Sequence, residues 1–131
     1  MKEITRINHI GLRVRELEIS QIFYEKLGFN FIEGPIGPEP VAVMLHPSGI
    51  NINFILNASA NAYNKNILMD AEEKHAGYTH IALEITDPIA VQKHLETLDI
   101  EITETVELPN GAFFFFIRDP DGNVIEFHKP A

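Results

Sequence analysis

The sequence has no cysteine, which removes disulfides, thiolate metal sites and thiol nucleophiles together. Any bound metal must be held by His, Asp, Glu or amide oxygen. Positive charge is scarce as well: ten Lys and Arg stand against nineteen Asp and Glu, a formal charge of −9 with neutral His. A field of that sign repels phosphate backbones and anionic lipid, so neither nucleic acid nor a membrane is an expected partner. Long apolar runs are missing; the longest, AFFFFI at 112–117, falls far short of the roughly 20 residues that a spanning helix needs. The opening MKEITRINH carries charges where a secretory signal would need an apolar stretch, so the expected compartment is the cytoplasm. Low-complexity tracts are absent too, and 131 residues at 45% hydrophobic composition suit one folded domain with its own core.

What the sequence does contain is an internal repeat, the feature to seek before any other. INHIGLRVRELE at 7–18 aligns with YTHIALEITDPI at 78–89, setting His9 on His80, Gly11 on Ala82 and Arg13 on Glu84. Both segments alternate as strands do. After the first, ELEISQIFYEKLGF places Leu17, Ile22, Phe23 and Leu27 near helical spacing, with Gly28 at the stop. After the second, DPIAVQKHLETLDI offers Asp87 as N-cap, Pro88 at the first helical position, and Val91, Leu95 and Leu98 on one face. Strand-rich sequence follows each helix: FNFIEG, VAVMLHP and INFIL in the first half, IEITETVEL, AFFFFIRDP and NVIEFH in the second. HPSGININF at 46–54 aligns with DPDGNVIEF at 119–127, pairing Pro47 with Pro120, Gly49 with Gly122, Asn53 with Glu126 and Phe54 with Phe127. The expected architecture is α+β, a single domain of two tandem βαβββ modules at about 5–57 and 78–129, forming a cupped mixed sheet with helices on its outer face. The polar stretch at about 58–77 is the expected linker and a candidate lid.

Strand parity then says which side chains share a face: His9 with Gly11 and Arg13, His80 with Ala82 and Glu84, Glu126 with Val124 and His128. If a pseudo-twofold relates the modules, His9, His80, Asn53 and Glu126 converge on one cavity. A single strand histidine is ordinarily structural and a single terminal glutamate ordinarily solvated. Two imidazoles and a carboxylate at repeat-equivalent positions argue instead for a facial triad, suited to Fe(II) and usable by Mn, Ni, Co or Zn. One divalent metal on His9, His80 and Glu126 would also offset the cost of burying the acid. His128 is the nearest candidate acid or base, against its reading as an exposed residue near the C-terminus. Arg13 and Glu84 either meet substrate or pair with each other. Phe113 and Phe115 face one way and Phe114 and Phe116 the other; packing is the first task of such a run, and an aromatic wall favours an apolar or aromatic substrate.

NHIGLRV, FYEKLGF at 23–29, THIALEI and DPDGNVIEF together resemble the vicinal oxygen chelate superfamily. That group holds glyoxalase I, methylmalonyl-CoA epimerase, extradiol dioxygenases, fosfomycin-resistance enzymes and bleomycin-binding proteins, and the resemblance covers nearly the whole chain. It implies a metal in the cup on His9, His80 and Glu126, a small substrate whose adjacent oxygens chelate that metal, Lewis-acid catalysis, and a homodimer. The pattern departs at Asn53, where glyoxalase I and the epimerases carry a Glu or Gln ligand; the shorter amide is a weaker ligand and cannot shuttle a proton. Asn53 can coordinate through oxygen, bond to substrate, or serve only as a polar strand residue. Gly11 stands where fosfomycin enzymes usually carry a hydroxyl residue. The expected function is a metal-dependent enzyme with dioxygenase-type or isomerase/lyase-type chemistry. The alternative is a metal-free binding protein of the bleomycin-resistance type, which the −9 charge would suit for a cationic drug.

Overall fold

A computed structural model describes residues 1–59 and 65–131 and divides the chain into two compact units, Met1–Tyr63 and Asn64–Ala131. In the first, β1 (Ile10–Arg13) leads into α1 (Leu17–Lys26), followed by β2 (Asn30–Ile36), β3 (Val41–Leu45) and β4 (Asn51–Ile55). In the second, β5 (His80–Glu84) leads into α2 (Pro88–Thr97), followed by β6 (Glu104–Glu107), β7 (Phe113–Arg118) and β8 (Val124–Lys129). The sheet orders are β1-β4-β3-β2 and β5-β8-β7-β6, each mixed, with its first and last strands parallel. These are two βαβββ modules.

The registers reproduce the repeat read from the sequence. Gly11 lies opposite Asn53 in unit one as Ala82 lies opposite Glu126 in unit two. The β3–β4 and β7–β8 turns also match: His46 N–H bonds Ile50 O and Gly49 N–H bonds His46 O, as Asp119 N–H bonds Asn123 O and Gly122 N–H bonds Asp119 O. Each helix ends alike, with Phe29 N–H returning to Tyr24 O and Ile100 N–H to Leu95 O, the closing bond of a Schellman motif.

Burial alternates along β3 and β4 and through the middle of β7. Ala42, Met44, Ile52 and Phe54 are fully buried in unit one, joined by Val14, Tyr24 and Phe29. In unit two Phe115, Ile117, Ile125 and Phe127 take the same places, with Leu95 from the helix. Asp87 caps α2 as the sequence predicts, accepting from Ala90 N–H at 3.0 Å. The face of α1 differs from the spacing argument. Ile22 is 52% exposed, whereas Tyr24 is 2% exposed and packs edge-on against Phe23, Phe29 and Phe54. A large ring at Tyr24 reaches the sheet and rotates the helix off the aliphatic stripe. Gly34, at φ +134°, lets β2 approach β3; a Cβ there would stand 2.6 Å from Ala42 Cα. Within the segment IEITETVEL, β6 spans Glu104–Glu107, and Thr103 N–H adds a bond to Phe116 O at 2.9 Å. Of the expected linker, residues 60–64 lie outside the described residues.

Candidate functional site

The inner face of unit two carries most of the predicted site residues. Across its three long strands the rows read His80, Val124, Arg118; then Ala82, Glu126, Phe116; then Glu84, His128, Phe114. Glu126 sits at the centre, in the strand with neighbours on both sides, and is 7% exposed. Burying an ionised carboxylate is unfavourable unless partners replace its water. Here both oxygens are taken by imidazoles: His80 Nε2 lies 2.9 Å from Oε2 and His128 Nδ1 lies 2.7 Å from Oε1. Both rings are themselves fixed. Phe114 stacks on His128 at 5.2 Å with 8° between planes, and Phe116 meets His80 edge-on at 5.9 Å. Phe114 and Phe116 also touch each other at right angles, so the two rings pack as a pair against both histidines that meet Glu126.

Unit one carries the matching positions with other chemistry. Asn53 holds the place of Glu126, and its Oδ1 is buried without a hydrogen-bond partner, as is Oδ1 of Asn51 two residues earlier on the same face. Buried acceptors are nearly always satisfied, so these two oxygens are the distinguishing polar feature of this face. His9 precedes β1, is exposed, and donates from Nδ1 to Asn8 Oδ1 at 2.8 Å. Arg13 donates from Nε to Asn57 Oδ1 at 2.8 Å, and Asn57 in turn donates to Glu39. Glu84 is exposed on the row of His128.

Among the described residues, no group of three or more His, Asp or Glu side chains is gathered into a metal-ready cluster. What unit two does bring together is a pair. The 2.9 Å between His80 Nε2 and Glu126 Oε2 is a hydrogen-bond distance, and an imidazole nitrogen and a carboxylate oxygen are donor types that suit a first-row divalent ion. His128 is turned onto the far oxygen and does not add a third donor at that point.

The end of the expected linker belongs to unit two. Asp70 receives both arms of Arg118, at 2.9 and 3.0 Å, and Arg118 and Asn66 both donate to Gly122 O in the β7–β8 turn. The Arg118 hydrogen bonds hold the Asp70 carboxyl below its ordinary range. Sequence reasoning passed over Asn51 and this Asp70–Arg118 pair. Parity from Asn53 would have found Asn51; nothing periodic marks the pair.

The family model described as Glyoxalase/Bleomycin resistance protein/Dioxygenase superfamily matches residues 6–127. The chain belongs to this superfamily. It is 34% identical over 136 residues to an uncharacterised protein of Bacillus subtilis (strain 168), YwbC, spanning 95% of this chain and 97% of that one. Among solved structures, a glyoxalase family protein from Enterococcus faecalis superposes with a TM-score of 0.77 at 22% identity, covering 94% of this chain and 96% of that chain. The fosfomycin resistance protein FosX from Listeria monocytogenes superposes at 0.71 with 17% identity, covering 98% and 95%. At these identities the structural likeness establishes the fold. The superfamily's own description spans enzymes and a resistance protein, so membership leaves the reaction to be argued from the site.

Proposed function

We propose that the protein is a metal-dependent enzyme of this superfamily, acting on a small metabolite that offers two adjacent oxygens to a divalent ion, by dioxygenase-type or isomerase/lyase-type chemistry. One observation carries the reading: Glu126, 7% exposed, has an imidazole nitrogen on each carboxylate oxygen. A purely structural buried acid is ordinarily met by backbone N–H groups or by Arg, and two half-exposed histidines are an arrangement suited to exchange with an ion.

His80 and Glu126 are assigned as two ligands. The third is His9, supplied by unit one of the same chain or of a second copy in a homodimer; its support is its repeat-equivalence to His80 and the free Nε2 that the Asn8 contact leaves. The cation, when bound, supplies Lewis acidity at the substrate oxygens. His128, tied through Nδ1 to Glu126 and clamped by Phe114, keeps Nε2 to accept or return a proton at a substrate atom. Asn53 offers its orphaned oxygen to a substrate donor or to the ion. Phe114 and Phe116 exclude water along one side, and Arg13 and Glu84 contribute polar contacts to the substrate.

Elemental analysis of the purified protein beside Glu126→Ala and His80→Ala tests this, with circular dichroism as a check on folding. About one ion per chain in the parent and little in the folded variants is the expected result. Iron directs the next assays to catechol ring cleavage, and nickel or zinc to isomerisation. A parent that takes up no ion after reloading with several divalent metals overturns the proposal and puts the metal-free drug-binding reading in front, to be read as thermal stabilisation by cationic drugs.

A further inference from the structure

The two histidines assigned as ligands share a detail just outside their strands. The residue immediately before each one reaches its Nδ1: Asn8 Oδ1 lies 2.8 Å from His9 Nδ1, and Thr79 Oγ1 lies 2.9 Å from His80 Nδ1. The two partners differ chemically. An amide oxygen only accepts, so Asn8 keeps a proton on Nδ1 of His9 and leaves the lone pair on Nε2, the form an ion needs. A hydroxyl both accepts and donates, and His80 has use for both. Its Nε2 lies 2.9 Å from Glu126 Oε2, so without an ion Nε2–H donates to the carboxylate and Nδ1 accepts from Thr79. When an ion replaces that proton, the neutral ring must carry its hydrogen on Nδ1, and the Thr79 hydroxyl rotates to accept it.

We propose that Asn8 and Thr79 are positioning residues for ion binding: Asn8 fixes His9 in the Nδ1–H tautomer, and Thr79 follows His80 as it changes tautomer. This rests on the reading of His9 and His80 as ligands. Strand pairing does not account for either side chain, since Asn8 and Thr79 both precede their strands. Partners of this kind, which orient a ligating ring through its other nitrogen, commonly change metal affinity about 10- to 100-fold when removed.

The test uses the full chain labelled with ¹⁵N-histidine, with long-range ¹H–¹⁵N spectra recorded where the rings are neutral, before and after loading with Zn²⁺. Zn²⁺ affinity is measured by competition for the parent, Asn8→Ala, Thr79→Val and Thr79→Ser. In the parent, His9 is protonated on Nδ1 in both states, while His80 moves from Nε2–H to Nδ1–H on loading. Thr79→Val weakens Zn²⁺ binding by about 10- to 100-fold with an unchanged circular dichroism spectrum, and Thr79→Ser restores most of the loss. Asn8→Ala leaves His9 in mixed tautomers. An Nε2–H tautomer for His9 in the metal-free parent overturns the role of Asn8, and an unchanged affinity in Thr79→Val overturns that of Thr79. If the parent binds no Zn²⁺, the ligand reading falls and both positioning roles fall with it, whereas Zn²⁺ binding with an Nε2–H His9 and an unchanged Thr79→Val affinity overturns the two roles alone.

Discussion

Asn53 and Glu126 occupy the same place in two copies of one backbone, opposite Gly11 and Ala82 in their parallel neighbours, yet the side chains around them share almost nothing. Across β3 the inner face of unit one shows Val41, Val43 and Leu45, where β7 of unit two shows Phe114, Phe116 and Arg118. Along β4 it shows Asn51, Asn53 and Ile55, where β8 shows Val124, Glu126 and His128. The faces turned to the helices are far more alike: Ile52 with Ile125, Phe54 with Phe127, Met44 with Ile117, all buried. The backbone repeat is thus kept by the buried face of the strands, and the other face differs, with an acid held by two imidazoles in one copy and unpartnered amide oxygens in the other.

Even the shared core is not a copy. Ala42 in unit one matches Phe115 in unit two by register, and Tyr24 matches Leu95 by its place in the helix stop. Bulk that comes from the helix in one unit comes from the sheet in the other. The largest expected effect follows. Phe115→Ala empties a fully buried ring site and costs about 3–5 kcal/mol, read from urea unfolding, while Ala42→Phe overpacks the matching site by about 1–3 kcal/mol. An Ala42→Phe protein as stable as the parent would mean that the helix–sheet space is not filled by Tyr24 in its place.

A second test makes the two inner faces alike. Asn53→Glu buries a carboxylate with no imidazole on it, and costs about 1–3 kcal/mol in metal-free protein. Divalent ion should recover that loss, since the proposed site then gains a fourth donor, an oxygen; thermal melts with and without Mn²⁺ measure both. A loss that no divalent ion reverses would place Asn53 away from the ion.

The helix starts give the next contrast. Asp87 caps α2 through Ala90 N–H, whereas Glu16, at the same point of α1, makes no side-chain cap bond. Asp87→Ala should cost about 1 kcal/mol, and Glu16→Ala close to nothing. Equal losses from the two would show that α2 is held by packing and not by its cap.

The parts of this comparison that the sequence made legible are those with a local or periodic signature. His9 over His80 and Asn53 over Glu126 came from aligned alternation and matched turn residues; the register repeats the second pairing, whereas His9 lies just before β1 and has no register partner. The Asp87 cap and the parity of Phe114 and Phe116 were legible for the same reason. The face of α1 was not, because Ile22 fits the aliphatic spacing and a single tyrosine decides the rotation. Nor was the Asp70–Arg118 pair, which joins residues 48 positions apart and leaves no periodic trace. The contacts of Asn8 and Thr79 lie one residue from the predicted ligands, but hydrogen bonds to a ring nitrogen have no sequence pattern to announce them.

The smallest expected effect lies where the helices stop. Both helices end on a residue in the left-handed region, Gly28 at φ +93° and Asp99 at φ +56°. The value at Asp99 lies within the small left-handed well that Asp and Asn tolerate, while that at Gly28 lies beyond it. A Cβ at Gly28 would also stand 3.1 Å from His46 Nε2, so glycine is favoured more strongly at the stop of unit one than at that of unit two. Asp99→Gly relieves the remaining strain but gives the unfolded chain more freedom to lose. The two terms oppose each other, and the net gain should be about half a kcal/mol, readable as a slightly higher urea midpoint at constant slope. A loss of stability would show that the Asp99 side chain contributes an interaction of its own at the helix end, so that the two stops would share a backbone without sharing the reason for it.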